Sequence, residues 1–205
     1  NCTQCRSGFY QVDNTSLCYS NVTTLDYYVF NVSQSKFIPC YSSCLKCSSS
    51  GNTTTHNCST CNSGYYPLID FTSQCYLSTS NVNGYYFDSD KFKLCYSSCK
   101  SCSGTGDITI HKCTSCNPNY YPLIDNTQNC YLFSESVAGY YYDNQSHIFE
   151  LCYTSCETCT QSGDSNIHNC TKCKAGYFSL EDNTSQCYKS DTAVKNYFFD
   201  ISSYL

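Results

Sequence analysis

CYSSCLKCSSSGNTTTHNCSTC, residues 40–61, holds two C-x-x-C pairs with ten residues between them and a histidine two residues ahead of the second pair. A stretch of this kind fits a zinc site, a thiol redox centre or a set of crossed disulfides. Its surroundings decide among them, because the cysteines recur as C-x3-C-x2-C-x10-C-x2-C-x13-C. The blocks are Cys40, Cys44, Cys47, Cys58, Cys61, Cys75; then Cys95, Cys99, Cys102, Cys113, Cys116, Cys130; then Cys152, Cys156, Cys159, Cys170, Cys173, Cys187. Their starts lie 55 and 57 residues apart, which is the signature of a repeat architecture. Cys2, Cys5 and Cys18 match the last three cysteines of a block, so the chain is expected to begin inside a repeat.

The residues between the cysteines repeat too. After the fifth cysteine come Gly8-Phe9-Tyr10, Gly64-Tyr65-Tyr66, Asn119-Tyr120-Tyr121 and Gly176-Tyr177-Phe178, and an Asp (Asp13, Asp70, Asp125, Asp182) precedes the sixth cysteine by five residues. An aromatic pair, a turn and a return to cysteine predict a short two-stranded ribbon. A second ribbon is predicted from Tyr27–Phe30 returning through Phe37, Tyr85–Asp88 returning through Phe92, and Tyr140–Asp143 returning through Phe149. Tyr197–Asp200 begins another, whose cysteine is expected just past Leu205. No 3.6-residue apolar period lasts two turns, so helix should be minimal. The expected fold is a small disulfide-rich array of β-hairpin tandem repeats forming an elongated rod without a single large core. Its expected parts are residues 1–39 (the end of a truncated repeat), 40–94, 95–151 and 152–205.

Composition agrees. Of 205 residues 21 are Cys and 22 Tyr, with no Met and no Trp. A chain so poor in aliphatic residues needs covalent or metal staples. N-x-[ST] acceptors stand at Asn1, Asn14, Asn21, Asn31, Asn52, Asn57, Asn144, Asn169 and Asn183. Together with the cysteine density they predict an extracellular or cell-surface protein carrying covalent N-linked glycans, with no other cofactor. A net charge of −5 with 11 Lys and Arg gives nucleic acid or a polybasic membrane contact no electrostatic basis. No apolar run reaches membrane-span length, so no direct membrane insertion is expected in this segment. Without a signal peptide, initiator Met or anchor motif, the chain is expected to be a mature product or a segment of a longer one.

Zinc would use four ligands and leave the first and sixth cysteine of each block without a role. His56, His111 and His168, two residues before each fourth cysteine, are therefore read as repeat-equivalent surface or loop residues. Redox catalysis needs a C-x-x-C at a helix N-terminus, and no helix is predicted after any pair.

The order C-x3-C-x2-C, a variable loop, C-x2-C, Gly-Tyr-Tyr and a closing Cys resembles the furin-like, or growth-factor-receptor, cysteine-rich repeat, seen also in R-spondins. The resemblance covers essentially the whole chain. It implies pairing of first with third, second with fourth and fifth with sixth cysteine. That gives Cys40 with Cys47, Cys44 with Cys58, Cys61 with Cys75, Cys95 with Cys102, Cys99 with Cys113, Cys116 with Cys130, Cys152 with Cys159, Cys156 with Cys170, and Cys173 with Cys187. Cys5 would pair with Cys18, leaving Cys2 unpaired in this segment. The basic and apolar contact residues of receptor-binding R-spondin repeats have no counterpart here. The Tyr- and Asn-rich tandem blocks look more like the long cysteine-rich surface proteins of ciliates and other protists.

The tyrosines are read as a substitute core covering disulfides and ribbons, and the repeated Asp as an Asx cap of its turn, since no D-x-D-x-D-G calcium loop is present. No unique cluster of acid, base and nucleophile stands out, so no enzyme, catalytic residue or metal site is expected. The function expected is that of a structural extracellular glycoprotein: a segment of a longer repeat protein forming a glycan-coated rod, surface coat or fibre. Its partners would be other copies or neighbouring repeats of the same chain. The alternative is a receptor or surface-antigen ectodomain that spaces a ligand-binding part from the membrane.

Overall fold

The computed structural model describes residues 4–200. They divide between Leu94 and Cys95 into two compact units. The first holds β1 (Phe9–Gln11), β2 (Cys18–Ser20), β3 (Tyr28–Asn31), β4 (Lys36–Pro39), β5 (Cys44–Cys47), β6 (Cys58–Cys61), β7 (Tyr65–Pro67), β8 (Cys75–Leu77), β9 (Tyr85–Asp88) and β10 (Lys91–Leu94). The second holds β11 (Cys99–Cys102), β12 (Cys113–Cys116), β13 (Tyr120–Pro122), β14 (Cys130–Leu132), β15 (Tyr140–Asp143), β16 (Ile148–Leu151), β17 (Cys156–Cys159), β18 (Cys170–Cys173), β19 (Tyr177–Ser179) and β20 (Cys187–Lys189). Among the described residues there is no helix, and every strand pairs antiparallel with its neighbour in sequence, giving two-stranded sheets throughout.

The ribbons predicted after each fifth cysteine form as β1–β2, β7–β8, β13–β14 and β19–β20. Those predicted before each new block form as β3–β4, β9–β10 and β15–β16. Residues 197–200 carry no strand, and the expected return of that ribbon lies outside the described residues.

A third ribbon in each block was not foreseen. The two C-x-x-C segments themselves pair, as β5–β6, β11–β12 and β17–β18, with Cys44 opposite Cys61 and Cys47 opposite Cys58 in the first of them. Residues three apart point to opposite faces of a regular strand. A register shift on either side of Lys46, Ser101 or Thr158 absorbs the mismatch and lets both cysteines of the strand be used.

The interior is many small cores. Phe37, Phe92 and Phe149 are each 1% exposed, and single parallel bridges tie them to Val12, Leu68 and Leu123 of the preceding ribbon. Aromatic rings supply most of the cover. In the first unit the ring centroids of Tyr66 and Phe87 are 4.6 Å apart, Phe87 and Phe92 5.4 Å, and Tyr76 and Phe92 6.1 Å. Tyr121, Tyr142, Phe149 and Tyr131 repeat this run in the second unit.

Candidate functional site

The most elaborate constellation is the clamp formed by each six-cysteine block, and it is built around the histidine. The structure joins Cys40 to Cys47, Cys44 to Cys58 and Cys61 to Cys75; Cys95 to Cys102, Cys99 to Cys113 and Cys116 to Cys130; Cys152 to Cys159, Cys156 to Cys170 and Cys173 to Cys187; and Cys5 to Cys18. The expectation for Cys2 lies outside the described residues. The sequence separation of 14 in the longer bridges corresponds to a closed loop worth about 3 kcal/mol each in lost unfolded-state freedom.

The histidines are not surface residues. His56, His111 and His168 are 3%, 2% and 3% exposed. Each ring stacks on the Tyr that follows the first cysteine, with centroids 4.4, 4.2 and 4.3 Å away at Tyr41, Tyr96 and Tyr153. A second ring, Tyr76, Tyr131 or Tyr188, lies tilted against it at 4.8 to 4.9 Å. The imidazole thus starts the aromatic run that continues into the next ribbon.

Nδ1 is equally well used. The backbone N–H of Cys75, Cys130 or Cys187 donates to it at 3.0 Å in all three clamps. The hydroxyl of Ser43, Ser98 or Ser155 lies 3.1, 2.9 and 3.1 Å from the same nitrogen. A peptide donor facing Nδ1 assigns the proton to Nε2, so the ring is neutral. Burial pushes all three imidazoles below their ordinary pKa; backbone hydrogen bonds at Cys75, Cys130 and Cys187 are the largest offset, followed at His56 by one at Thr53 and at His168 by the charge of Asp164.

The loop that delivers the histidine is held from both sides. Asn52, Asp107 and Asp164 each accept two backbone N–H groups from the residues two and three further on. Gln74, Asn129 and Gln186, directly before each sixth cysteine, donate side-chain N–H to the carbonyls of Thr54, Thr109 and Asn166 at 2.9, 2.9 and 2.8 Å. These amides were missed in the sequence, although an amide at the same place in every full block was visible there. The serine of C-Y-x-S-C was missed in the same way.

The repeated Asp does different work from the Asx cap expected of it. Asp70 and Asp125 accept the phenol O–H of Tyr85 and Tyr140 with both carboxylate oxygens, at 2.8 and 2.9 Å, and Asp182 accepts from Tyr197. Asp13 pairs with Lys36 at 2.8 Å. The residue is a latch between two ribbons, because its turn places the carboxylate over the start of the next strand.

The sequons differ in setting. Asn14, Asn21, Asn52, Asn144 and Asn183 are exposed, and Asn31 is half-buried. Asn57 and Asn169 are half-buried at φ 58, and their side-chain N–H groups close the loop onto the carbonyls of Ser50 and Ser162. Lys112 holds the same φ of 58 at that position. The recurrence of Asn there has a backbone cause, since Asn tolerates the left-handed region better than most residues. Asn1 lies outside the described residues.

A Ser–His contact near 3 Å has the outline of an acyl-transfer pair. Here the ring nitrogen that would act as base already accepts a peptide N–H, and Ser43, Ser98 and Ser155 are only 1 to 2% exposed, out of reach of a substrate. Among the described residues no group of three His, Cys, Asp or Glu side chains is arranged to hold a metal ion.

No family model matches the chain, and no solved structure matches it. Over 202 residues it is 29% identical to Cysteine repeat modular protein 2 of Tetrahymena thermophila, covering 92% of this chain and 10% of that protein. Over 92 residues it is 30% identical to Extracellular matrix organizing protein FRAS1 of Homo sapiens, covering 45% of this chain and 2% of that protein. The chain therefore spans a tenth or less of the length of these curated relatives. It is a disulfide-stapled, cysteine-rich repeat chain similar to both.

Proposed function

We propose that the chain is a structural extracellular glycoprotein, a run of covalent clamps that sets the geometry of a rod, surface coat or fibre. The observation that carries this reading is the identical use of side chains in three clamps. In each, the histidine Nδ1, the serine hydroxyl and the amide before the sixth cysteine are consumed in holding the loop to its own block. A site meant for chemistry keeps a reactive atom accessible and is normally unique in its chain. The two relatives bear names that speak of cysteine repeats and of extracellular matrix organisation, which favours the same reading.

Exposed turns at Asn14, Asn144 and Asn183 are the acceptors best suited to glycans, and Asn57 and Asn169 serve the backbone first. The neighbours of this segment are then other copies or further repeats, and no catalytic step is assigned to it.

Small-angle scattering of the glycosidase-treated chain tests the proposal. A compact protein of 205 residues has a radius of gyration of about 17 Å. The expected value is well above that, with a rod-like cross-section; a value near 17 Å would contradict the reading.

A further inference from the structure

We infer that the three buried histidines are acid-sensitive latches, whose protonation at Nδ1 releases the histidine-bearing loop while the disulfides keep the strands joined. The geometry behind this is the same three times: a lone pair on Nδ1, a cysteine N–H aimed at it from 3.0 Å, and a ring closed off between two tyrosines. A proton on Nδ1 turns the acceptor into a donor. Two donors then face each other, the cysteine N–H is left buried without a partner, and a charge sits between aromatic rings. Each of these is expensive in a dry interior. Swinging the histidine out to water relieves all three, and nothing covalent opposes it. The loop of residues 48–57 is tied by hydrogen bonds from Ser48 to Asn57 and from Gln74 to Thr54, and the disulfides Cys44–Cys58 and Cys40–Cys47 lie at its base.

The groups around each ring differ. His56 faces the phenols of Tyr41 and Tyr76, with the neutral Asn52 in its loop turn. His111 faces Tyr96 and Tyr131, with the carboxylates of Glu135 and Asp107 close enough to favour its charged form and Lys112 next to Asp107. His168 faces Tyr153 and Tyr188, with Asp164 acting in the same direction. A carboxylate near a histidine eases its protonation, so Glu135 and Asp107 ease release at His111 and Asp164 eases it at His168.

The sign follows from linkage. A folded-state pKa below the unfolded one means that the open loop binds the proton first. Latch stability is complete above about pH 6.5, falls as pH drops below it, and levels off below the folded pKa.

Native-state hydrogen exchange on the intact, oxidised chain between pH 7.5 and 4.5 decides the matter. Corrected for intrinsic rates, protection of the Cys75, Cys130 and Cys187 amides should fall below about pH 6.5 by up to tenfold per pH unit. The amides of Phe92 and Phe149, buried at the bridges to the preceding ribbon, should stay protected. In His168→Gln, which offers a neutral acceptor, the pH dependence should vanish at Cys187 and persist at Cys75. Constant protection in the unsubstituted chain, or parallel loss at the Phe92 and Phe149 amides, would overturn the inference.

Discussion

Gly106 shows how little room the clamp leaves around its histidine. A Cβ built there would lie 2.1 Å from the carbonyl oxygen of His111, and the same approach recurs at Gly51 and Gly163. Real Cβ atoms do not approach backbone that closely, so Gly106→Ala must push the loop off the ring. We expect a loss of about 1 to 3 kcal/mol, the range of overpacked sites, read by denaturant unfolding of the oxidised chain. Gly104→Ala, where the nearest neighbour is the flexible Lys112 side chain at 3.6 Å, should stay near neutral. At this scale the sequence reveals which positions recur but not which way they face. A histidine in a polar, turn-rich loop reads as exposed because the rings that bury it, Tyr41 and Tyr76, come from 15 residues before and 20 after. Asn57 and Asn169 read as glycan acceptors by their triplets, while the left-handed backbone they adopt has no one-residue signature.

Consecutive ribbons are joined by the phenol–carboxylate latches, which are a property of element pairs. Burial of the phenol, and then the carboxylate of Asp70 or Asp125 that accepts its hydrogen bond, push Tyr85 and Tyr140 up to about 12. A raised folded-state pKa means the neutral phenol is the form the fold prefers. The latch therefore contributes below about pH 10 and is lost as pH rises through about 12. In an ultraviolet titration these two tyrosines should ionise late, and Asp70→Asn with Asp125→Asn should bring them back toward 10. The flanking ribbons were legible because an aromatic pair, a turn and a returning cysteine follow local rules. The clamp ribbon was not, since its two strands carry cysteines at a spacing of three, which breaks the two-residue period of a strand until the register shift is seen. Gly64 in Gly-Tyr-Tyr is the opposite case: its φ of 81 opens the turn into the ribbon, a role any glycine before an aromatic pair suggests.

For the whole molecule, stability is a sum of small covalent units, each with a few buried rings and three disulfides. Neither compact unit contains the long apolar periods of a conventional core, and both repeat the same solution with different loop residues. Chain composition announced this plainly. The pairing of the cysteines did not follow from composition, because six cysteines admit 15 arrangements and the spacing alone does not choose. The central claim is that every block uses its cysteines to fix geometry and keeps none for chemistry. Peptide mapping of the intact chain under non-reducing conditions tests it most directly. The account predicts cross-linked peptides joining first to third, second to fourth and fifth to sixth cysteine in all three blocks, as in Cys40–Cys47, Cys44–Cys58 and Cys61–Cys75. Free thiols at the C-x-x-C pairs, or zinc retained by them, would contradict it.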